Sequence, residues 1–369
     1  MPSPELIQEA ERQLTICNAC RYCEGYCAVF PAMELRRRFD ERDIVYLANL
    51  CFECRACYYA CPFTPPHDYQ LNIPQVLAEV RLQTYAEYTP PRVLSRLFRG
   101  NGRLVAFAVA ACVLLVLLAA VAVQGSDAVF GEPAAEGSFY QVVPYLAMTL
   151  PALALSGYWI WALLAGGLRF WRSTRGSLGD LVDGPSLSKA TKDAFGLEYL
   201  KGGGEGCTYP DERPSASRRW LHQALVAGIL LDFASTTVAA VYHNFLGEDA
   251  PYPYLSLPVV LGTAGGALIV GAVLGLAWLK LRADPLPAYR RMLGLDWAFL
   301  WLLLLTAATG LVLLALRDTS AMGALLTVHL GIVAALYLAL PYSKFAHVVY
   351  RYAALVRYRI ETARHGRAV

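Results

Sequence analysis

Apolar positions divide the chain into two unlike parts. Beyond residue 102, six segments are almost continuously apolar, near 104–123, 141–165, 220–245, 254–279, 295–316 and 322–343. Each is long enough to span a hydrocarbon core, which takes about 20 helical residues. Before residue 102, apolar positions are sparser and interleaved with charge. Ile44, Leu47 and Leu50 stand at helical spacing and predict a helix over 43–50. Pro65-Pro66 reads as a turn. Asn72-Ile73-Pro74 reads as a helix start with proline at an early position; that helix should run to about Tyr85 and be closed by Pro90-Pro91.

The polar residues between the apolar segments predict an orientation. Residues 1–103 hold twelve Lys/Arg, the loop 168–219 nine, residues 280–293 four, and the tail after 343 six. The intervening turns are poor in them: 124–140 has none, but has Asp127, Glu132 and Glu136; 247–253 has none; one lies at Arg317. Positive and non-positive loops alternate at every crossing. Six transmembrane helices with both termini cytoplasmic follow from the positive-inside rule. The mean hydropathy of +0.39 agrees with a membrane protein, and a formal net charge of +3 is too small to point to nucleic acid. Residues 1–16 carry Glu5, Glu9, Glu11 and Arg12 without an apolar core, so no secretory signal is expected there. The resulting localisation is the inner, cytoplasmic membrane.

Cysteine placement changes the picture of the head. Eight of the ten cysteines precede residue 62. They form two copies of one pattern, Cys17-x2-Cys20-x2-Cys23-x3-Cys27 and Cys51-x2-Cys54-x2-Cys57-x3-Cys61, the second followed by Pro62. In a reducing compartment such cysteines are metal ligands rather than disulfides. The x2 spacings wrap a short loop around one [4Fe–4S] cubane, and the fourth cysteine ligates the other cluster in two-cluster ferredoxins. One cluster is therefore assigned to Cys17, Cys20, Cys23 and Cys61, and the second to Cys51, Cys54, Cys57 and Cys27. Zinc sites use separated pairs instead. The expected fold is mainly α: a small α-helical, two-cluster ferredoxin-like cytoplasmic head over residues 1–100, and a six-helix membrane bundle over 101–369 with a long cytoplasmic loop, 168–219.

Four of the six histidines suggest haem. His222 and His243 lie at the ends of the third span, and His329 and His347 on or just past the sixth. In a straight sixth helix, 18 residues are five turns, so His329 and His347 would share a face; His222 and His243 would lie about 60° apart. Antiparallel topology puts His222 with His347 at the cytoplasmic side and His243 with His329 at the outer side, about 27–32 Å away at 1.5 Å per residue. Two bis-histidine b-type haems fit that arrangement. Pro341 threatens the straight helix on which part of it rests. Asp232, a carboxylate within the third span, is a candidate proton relay. His67 and His365 lie in polar segments and receive no ligand role. Cys112 reads as packing, Cys207 stands apart from the motifs, and the glycine cluster from Lys201 to Cys207 lacks a P-loop ending and reads as a flexible docking loop. No nucleophile triad, dinucleotide fingerprint or flavin motif is present, so electrons must come from elsewhere.

The runs Ile16-Cys-Asn-Ala-Cys-Arg-Tyr-Cys-Glu-Gly-Tyr-Cys-Ala-Val-Phe-Pro31, Tyr46-Leu-Ala-Asn-Leu-Cys51 and Ala56-Cys-Tyr-Tyr-Ala-Cys61 resemble the tricarballylate/citrate-utilisation membrane iron–sulfur proteins of the TcuB type. So do Gly206-Cys-Thr-Tyr-Pro-Asp-Glu-Arg-Pro214, Arg218-Arg219-Trp220-Leu221-His222 and Leu340-Pro-Tyr-Ser-Lys-Phe-Ala-His347. The resemblance covers essentially the whole chain and extends to the C-terminal part of CobZ-type proteins. It implies an electron-transfer subunit that reoxidises a cytoplasmic FAD dehydrogenase, tricarballylate dehydrogenase-like, and passes electrons through its clusters and haem to membrane quinone. Two other expectations stand beside it. One is quinol-to-cytoplasm transfer, as in heterodisulfide-reductase-like or cobalamin-biosynthesis systems. The other is a redox sensor or anchor that turns nothing over.

Overall fold

The structure, a computed structural model, describes residues 2–98, 102–132 and 137–365. The boundary expected at 100/101 and Glu136 lie outside the described residues.

The head begins with helix α1, Pro4–Cys20. Ser3 caps it, accepting from the Leu6 N–H at 3.3 Å, and Pro4 occupies the first turn, where a missing N–H costs nothing. Arg21 stops it in the left-handed region (φ 56°). That stop turns the chain into the first cysteine loop. Helix α2 is Val29–Glu34 and α3 is Glu41–Leu50, capped by Asp40, which accepts from the Asp43 N–H at 2.9 Å. The short α4, Ala56–Tyr59, carries Cys57. Helix α5, Ile73–Tyr88, starts at Asn72 as the proline position predicts; α6, Arg92–Phe98, follows Pro90-Pro91. Helix α1 is not legible as an apolar run because its buried face is only Leu6, Ala10, Gln13 and Leu14.

The remaining helices are α7 Gly102–Gln124, α8 Ser126–Phe130, α9 Ser138–Val142, α10 Tyr145–Ser173, α11 Gly184–Gly196, α12 Ser217–Val241, α13 Leu257–Leu281, α14 Arg290–Ala315, α15 Met322–Ala339 and α16 His347–Arg364. Strands β1, Cys207–Thr208, and β2, Pro214–Ser215, form a small antiparallel hairpin. Among the described residues six helices are long and apolar enough to cross a membrane: α7, α10, α12 with its π-helical extension to Leu246, α13, α14, and α15 with the turn to Tyr342. They leave large apolar side chains such as Phe107, Leu115, Leu153, Phe233 and Leu274 exposed. A bundle that meets lipid presents such a surface, because hydrocarbon offers no penalty to it.

Loop contacts fix which ends lie together. Arg55 donates to Asp284 O (2.9 Å) and Asn72 to Leu286 O (2.8 Å), tying the α13–α14 turn to the head. At the opposite end Arg317 donates to Tyr252 O, Tyr254 to Asp318, and Asn244 to Tyr145. Both described termini therefore lie on the head side of the bundle.

The core of the head draws on distant stretches of chain. Leu14, Phe30, Ile44, Leu47 and Leu77 pack with Phe170 and Trp171 from the end of α10, Tyr199 and Cys207 from the long loop, and Tyr350, Leu355 and Tyr358 from α16. Of the segment from Lys201 to Cys207, Gly203 to Glu205 stay exposed, while Cys207 at its end enters this core. Gly202, Gly203, Gly204 and Gly206 all take positive φ, and a Cβ on Gly206 would stand 2.6 Å from the Ser215 backbone, so the hairpin closes only over glycine.

Helix α16 is locked to the head by buried charge. Arg36 holds both Glu361 oxygens (2.7 and 3.2 Å) and Asp43 (2.7 Å), and Arg357 also reaches Glu361 (2.9 Å). Both guanidiniums lie over the Tyr46 ring, 4.9 and 4.4 Å from its centroid. Glu361→Gln leaves two buried guanidiniums short of a counter-charge and should cost about 3 kcal/mol, seen as a lowered unfolding midpoint. Burial pushes the Glu361 pKa up, but Arg36 and Arg357 more than offset this and hold it below the usual carboxylate range. Its contribution is therefore complete above the unfolded pKa and is lost as pH falls through the depressed folded value. The same midpoint followed on acidification should fall in the wild type and change less in the variant.

The sixth span corrects one premise of the sequence reading. His329 and His347 do not share a straight helix. Pro341 cannot donate to the helical ladder; α15 ends at Ala339, two short 3-10 turns follow, and His347 opens α16.

Candidate functional site: two cysteine pockets and a histidine pair

Left-handed backbone at Arg21, Glu53 and Arg55 bends the two motifs into loops whose thiols face inward. One pocket is lined by Cys17, Cys20, Cys23, Cys57 and Cys61, with Phe30, Phe63 and Ile73 among its apolar walls. Another is lined by Cys27, Cys51, Cys54 and Cys57, with Phe30, Phe52 and Leu77. Cys57 borders both. Otherwise the pockets divide the cysteines: Cys61 stands with Cys17, Cys20 and Cys23, and Cys27 with Cys51 and Cys54. Cys57 feels the repulsion of Cys54, Cys27 and Cys51 before that of Cys23. Each fourth cysteine thus crosses to the other motif's set.

Burial, with this repulsion second, pushes Cys17 and Cys23 up to about 12. Cys54 rises to about 12, by burial first and then Cys207. Burial likewise raises Cys27, Cys57 and Cys61, so these six thiols are poorly suited to exist as thiolates unless positive charge enters the pockets. Backbone N–H groups already aim at two of the sulfurs: Glu53 donates to Cys51 Sγ and Phe63 to Cys61 Sγ, each at 3.4 Å. Among the described residues no three His, Cys, Asp or Glu side chains close on a point that one metal ion would occupy. Cysteines from both motifs line each pocket, the donor set that a cubane with several irons would need.

The two pockets differ in setting. Cys20 is exposed and Tyr22 beside it is 69% exposed, so the first pocket borders the surface. The second, where Cys51 and Cys54 are buried, lies at the junction of head and bundle and is wrapped by arginine. Arg81, fully buried, donates to Cys51 O (2.8 Å); Arg351 donates to the same oxygen (3.0 Å); Arg218 donates to Glu53 O (2.6 Å). No reading of composition or spacing singled out these arginines, because a lone arginine in a loop or amphipathic helix looks like surface charge. Cys207 is buried within this region and donates to Leu200 O (3.2 Å). Cys112 lies on α7, away from both pockets.

The structure brings His222 and His347 together, with ring centroids 6.1 Å apart and planes nearly perpendicular. Two imidazoles on opposite sides of one metal, with bonds of about 2 Å, place their centroids about 6 Å apart. His347 Nδ1 donates to Lys344 O (2.6 Å), which fixes the tautomer and leaves Nε2 free. His222 Nδ1 is buried without a hydrogen-bond partner. The outer histidines make separate contacts. His243, in the π-helical turn, pairs through Nδ1 with Asp249 (2.8 Å) and lies on the Tyr145 ring (3.7 Å); His329 Nδ1 meets Thr309 Oγ1 (3.0 Å). Thr309 already donates to Leu305 O, so it accepts from His329. His67 Nδ1 accepts from the Tyr69 N–H, and His365 contacts Glu361 O. Asp232 Oδ1 is buried, without a partner, against α13 where Gly265 leaves room; a Cβ there would stand 2.2 Å from it.

The fold and these pockets define a multi-pass membrane protein with a ferredoxin-like, cysteine-bearing head, a class that carries electrons. Residues 10–87 match the family described as "Citrate utilization protein B Fer4-like domain", and residues 99–368 match "Citrate utilization protein B". The chain belongs to the citrate utilization protein B family. It is 45% identical over 363 residues to the Escherichia coli protein named "Citrate utilization protein B", covering 98% of this chain and 94% of that one. No solved structure matches the chain.

Proposed function

We propose that this chain is the membrane electron-transfer subunit of a flavoprotein dehydrogenase. In this reading Cys17, Cys20, Cys23 and Cys61 hold one [4Fe–4S] cluster, and Cys51, Cys54, Cys57 and Cys27 hold the second. His222 and His347 hold a b-type haem. Clusters and haem supply one-electron carriers; the chain supplies their order. The carrying observation is that order. The first thiol set borders the surface, where a soluble donor can approach, and the second is tied through Cys51 O and Glu53 O to Arg351 and Arg218, each one helical turn from a paired histidine.

The donor is an FAD dehydrogenase on the cytoplasmic side, and the acceptor is quinone in the inner membrane. The name of the E. coli relative refers to citrate utilization. A small polycarboxylate such as tricarballylate is the substrate class we assign to the partner. Asp232 is the carboxylate we assign to proton supply within the bundle, so Asp232→Asn should slow quinone reduction while leaving every cofactor spectrum unchanged.

A reduced-minus-oxidised visible spectrum, a pyridine haemochrome assay and iron and sulfide counts test the reading. About eight cluster irons with haem are expected. A preparation lacking haem would remove the histidine step, and one lacking clusters would remove the reading altogether. The same assay decides the outer pair: a second haem per chain belongs at His243 and His329. Because burial holds thiols such as Cys17 and Cys23 well above their usual pKa, iron binding must release protons. Loss of iron to a chelator should accordingly quicken as the pH is lowered below neutrality.

A further inference from the structure

The junction between head and bundle holds more buried positive charge than the chain itself compensates. Arg81, Arg218, Arg351, Lys280 and Lys344 meet there, and the acidic side chains among them are Glu53 and Asp296. Asp296 is committed to Lys280 (2.7 Å) and Lys344 (2.8 Å); Glu53 lies 3.6 Å from Arg81. Arg81 and Arg351 both retain buried nitrogens without hydrogen-bond partners. Such cations are costly to bury unpaired.

Sequence spacing orders two of them. Arg218 stands four residues before His222 on α12, and Arg351 four residues after His347 on α16. Residues four apart share a helix face. Helix α12 leaves the head and α16 enters it, so each arginine lies on the head side of its histidine. Both touch the backbone of the second cysteine motif, Arg351 at Cys51 O and Arg218 at Glu53 O.

We propose that Arg218 and Arg351, with Lys344 beside them, seat the two carboxylates of the haem held by His222 and His347. The inference rests on the haem of the proposed function. It gives the haem a direction: its carboxylate edge faces the head, where charge is tolerated, and its apolar edge faces the bundle. It also makes each arginine a bridge from a carboxylate to a backbone carbonyl of the second cysteine motif. They are positioning residues, acting through charge on the haem rather than as ligands.

The test is redox titration of the haem bands, with pyridine haemochrome quantification, in the full chain and in Arg351→Gln, Arg218→Gln and Arg351→Lys. A nearby cation favours the reduced iron, so each glutamine variant should shift the reduced-to-oxidised ratio at fixed potential about tenfold toward oxidised, about 59 mV for one electron. Arg351→Lys keeps the charge and should stay within about twofold of wild type. Haem retained at wild-type potential in both glutamine variants would overturn the proposal and leave the haem itself standing. Wild-type chain without haem would overturn both. If a glutamine variant does not accumulate, the Arg351→Lys titration and the other glutamine variant still decide.

Discussion

Cys61→Ser is expected to lower bound iron and acid-labile sulfide by about half and to abolish electron transfer, with membrane insertion intact. The expectation follows from the crossing of the fourth cysteines. Cys61 belongs to the second motif by sequence but faces Cys17, Cys20 and Cys23. The lost cluster should therefore be the one at the surface-bordering pocket. The second set of Cys27, Cys51, Cys54 and Cys57 should still assemble, because its walls come from Phe52, Leu77 and the arginines rather than from Cys61. Cys27→Ser should give the reverse: the surface cluster kept, the second one lost. Electron paramagnetic resonance of the reduced variants separates the two. If instead Cys61→Ser loses the signal of the cluster at Cys51, Cys54 and Cys57, and Cys27→Ser that of the cluster at Cys17, Cys20 and Cys23, each motif binds its own cluster and the crossed assignment fails. If Cys61→Ser reduces quinone normally, the surface cluster is no part of the path.

The second large effect is expected at His347. His347→Ala should remove the inner haem while leaving iron and sulfide counts at wild-type values. Transfer from dithionite-reduced clusters to a quinone analogue should fall about 100-fold or more, since even outer-shell partners of a ligand cost up to about 100-fold. The side chain makes one recorded hydrogen bond, to Lys344 O, so the fold should lose only about 1 kcal/mol. His222→Ala should match it because the two rings face each other across one site. Haem retained in both variants would move the ligand assignment away from this pair. Haem lost in His347→Ala but kept in His243→Ala would restrict the bound haem to the inner site.

The sequence by itself determined the two-part organisation, the six spans, their alternation and the two cysteine motifs. The reason is physical: a hydrocarbon core demands uninterrupted apolar helices, and cluster-binding loops have fixed, short spacings. Both are local constraints, written in consecutive residues. Observed spans such as Gly102–Gln124 and Met322–Tyr342 agree with the apolar runs to within a few residues. The pairing of His222 with His347 was also legible, through topology, though the straight sixth helix used to align His347 was not what forms. What only the tertiary structure decided is how the head is completed. The loop containing Cys207 and the whole of α16 pack into it, and amphipathic helices of this kind carry no strong local signal until a partner buries their apolar face. The same holds for Arg81, Arg218 and Arg351: in sequence they are ordinary charges, and only the convergence of α5, α12 and α16 around Cys51 and Glu53 turns them into a buried nest of cations.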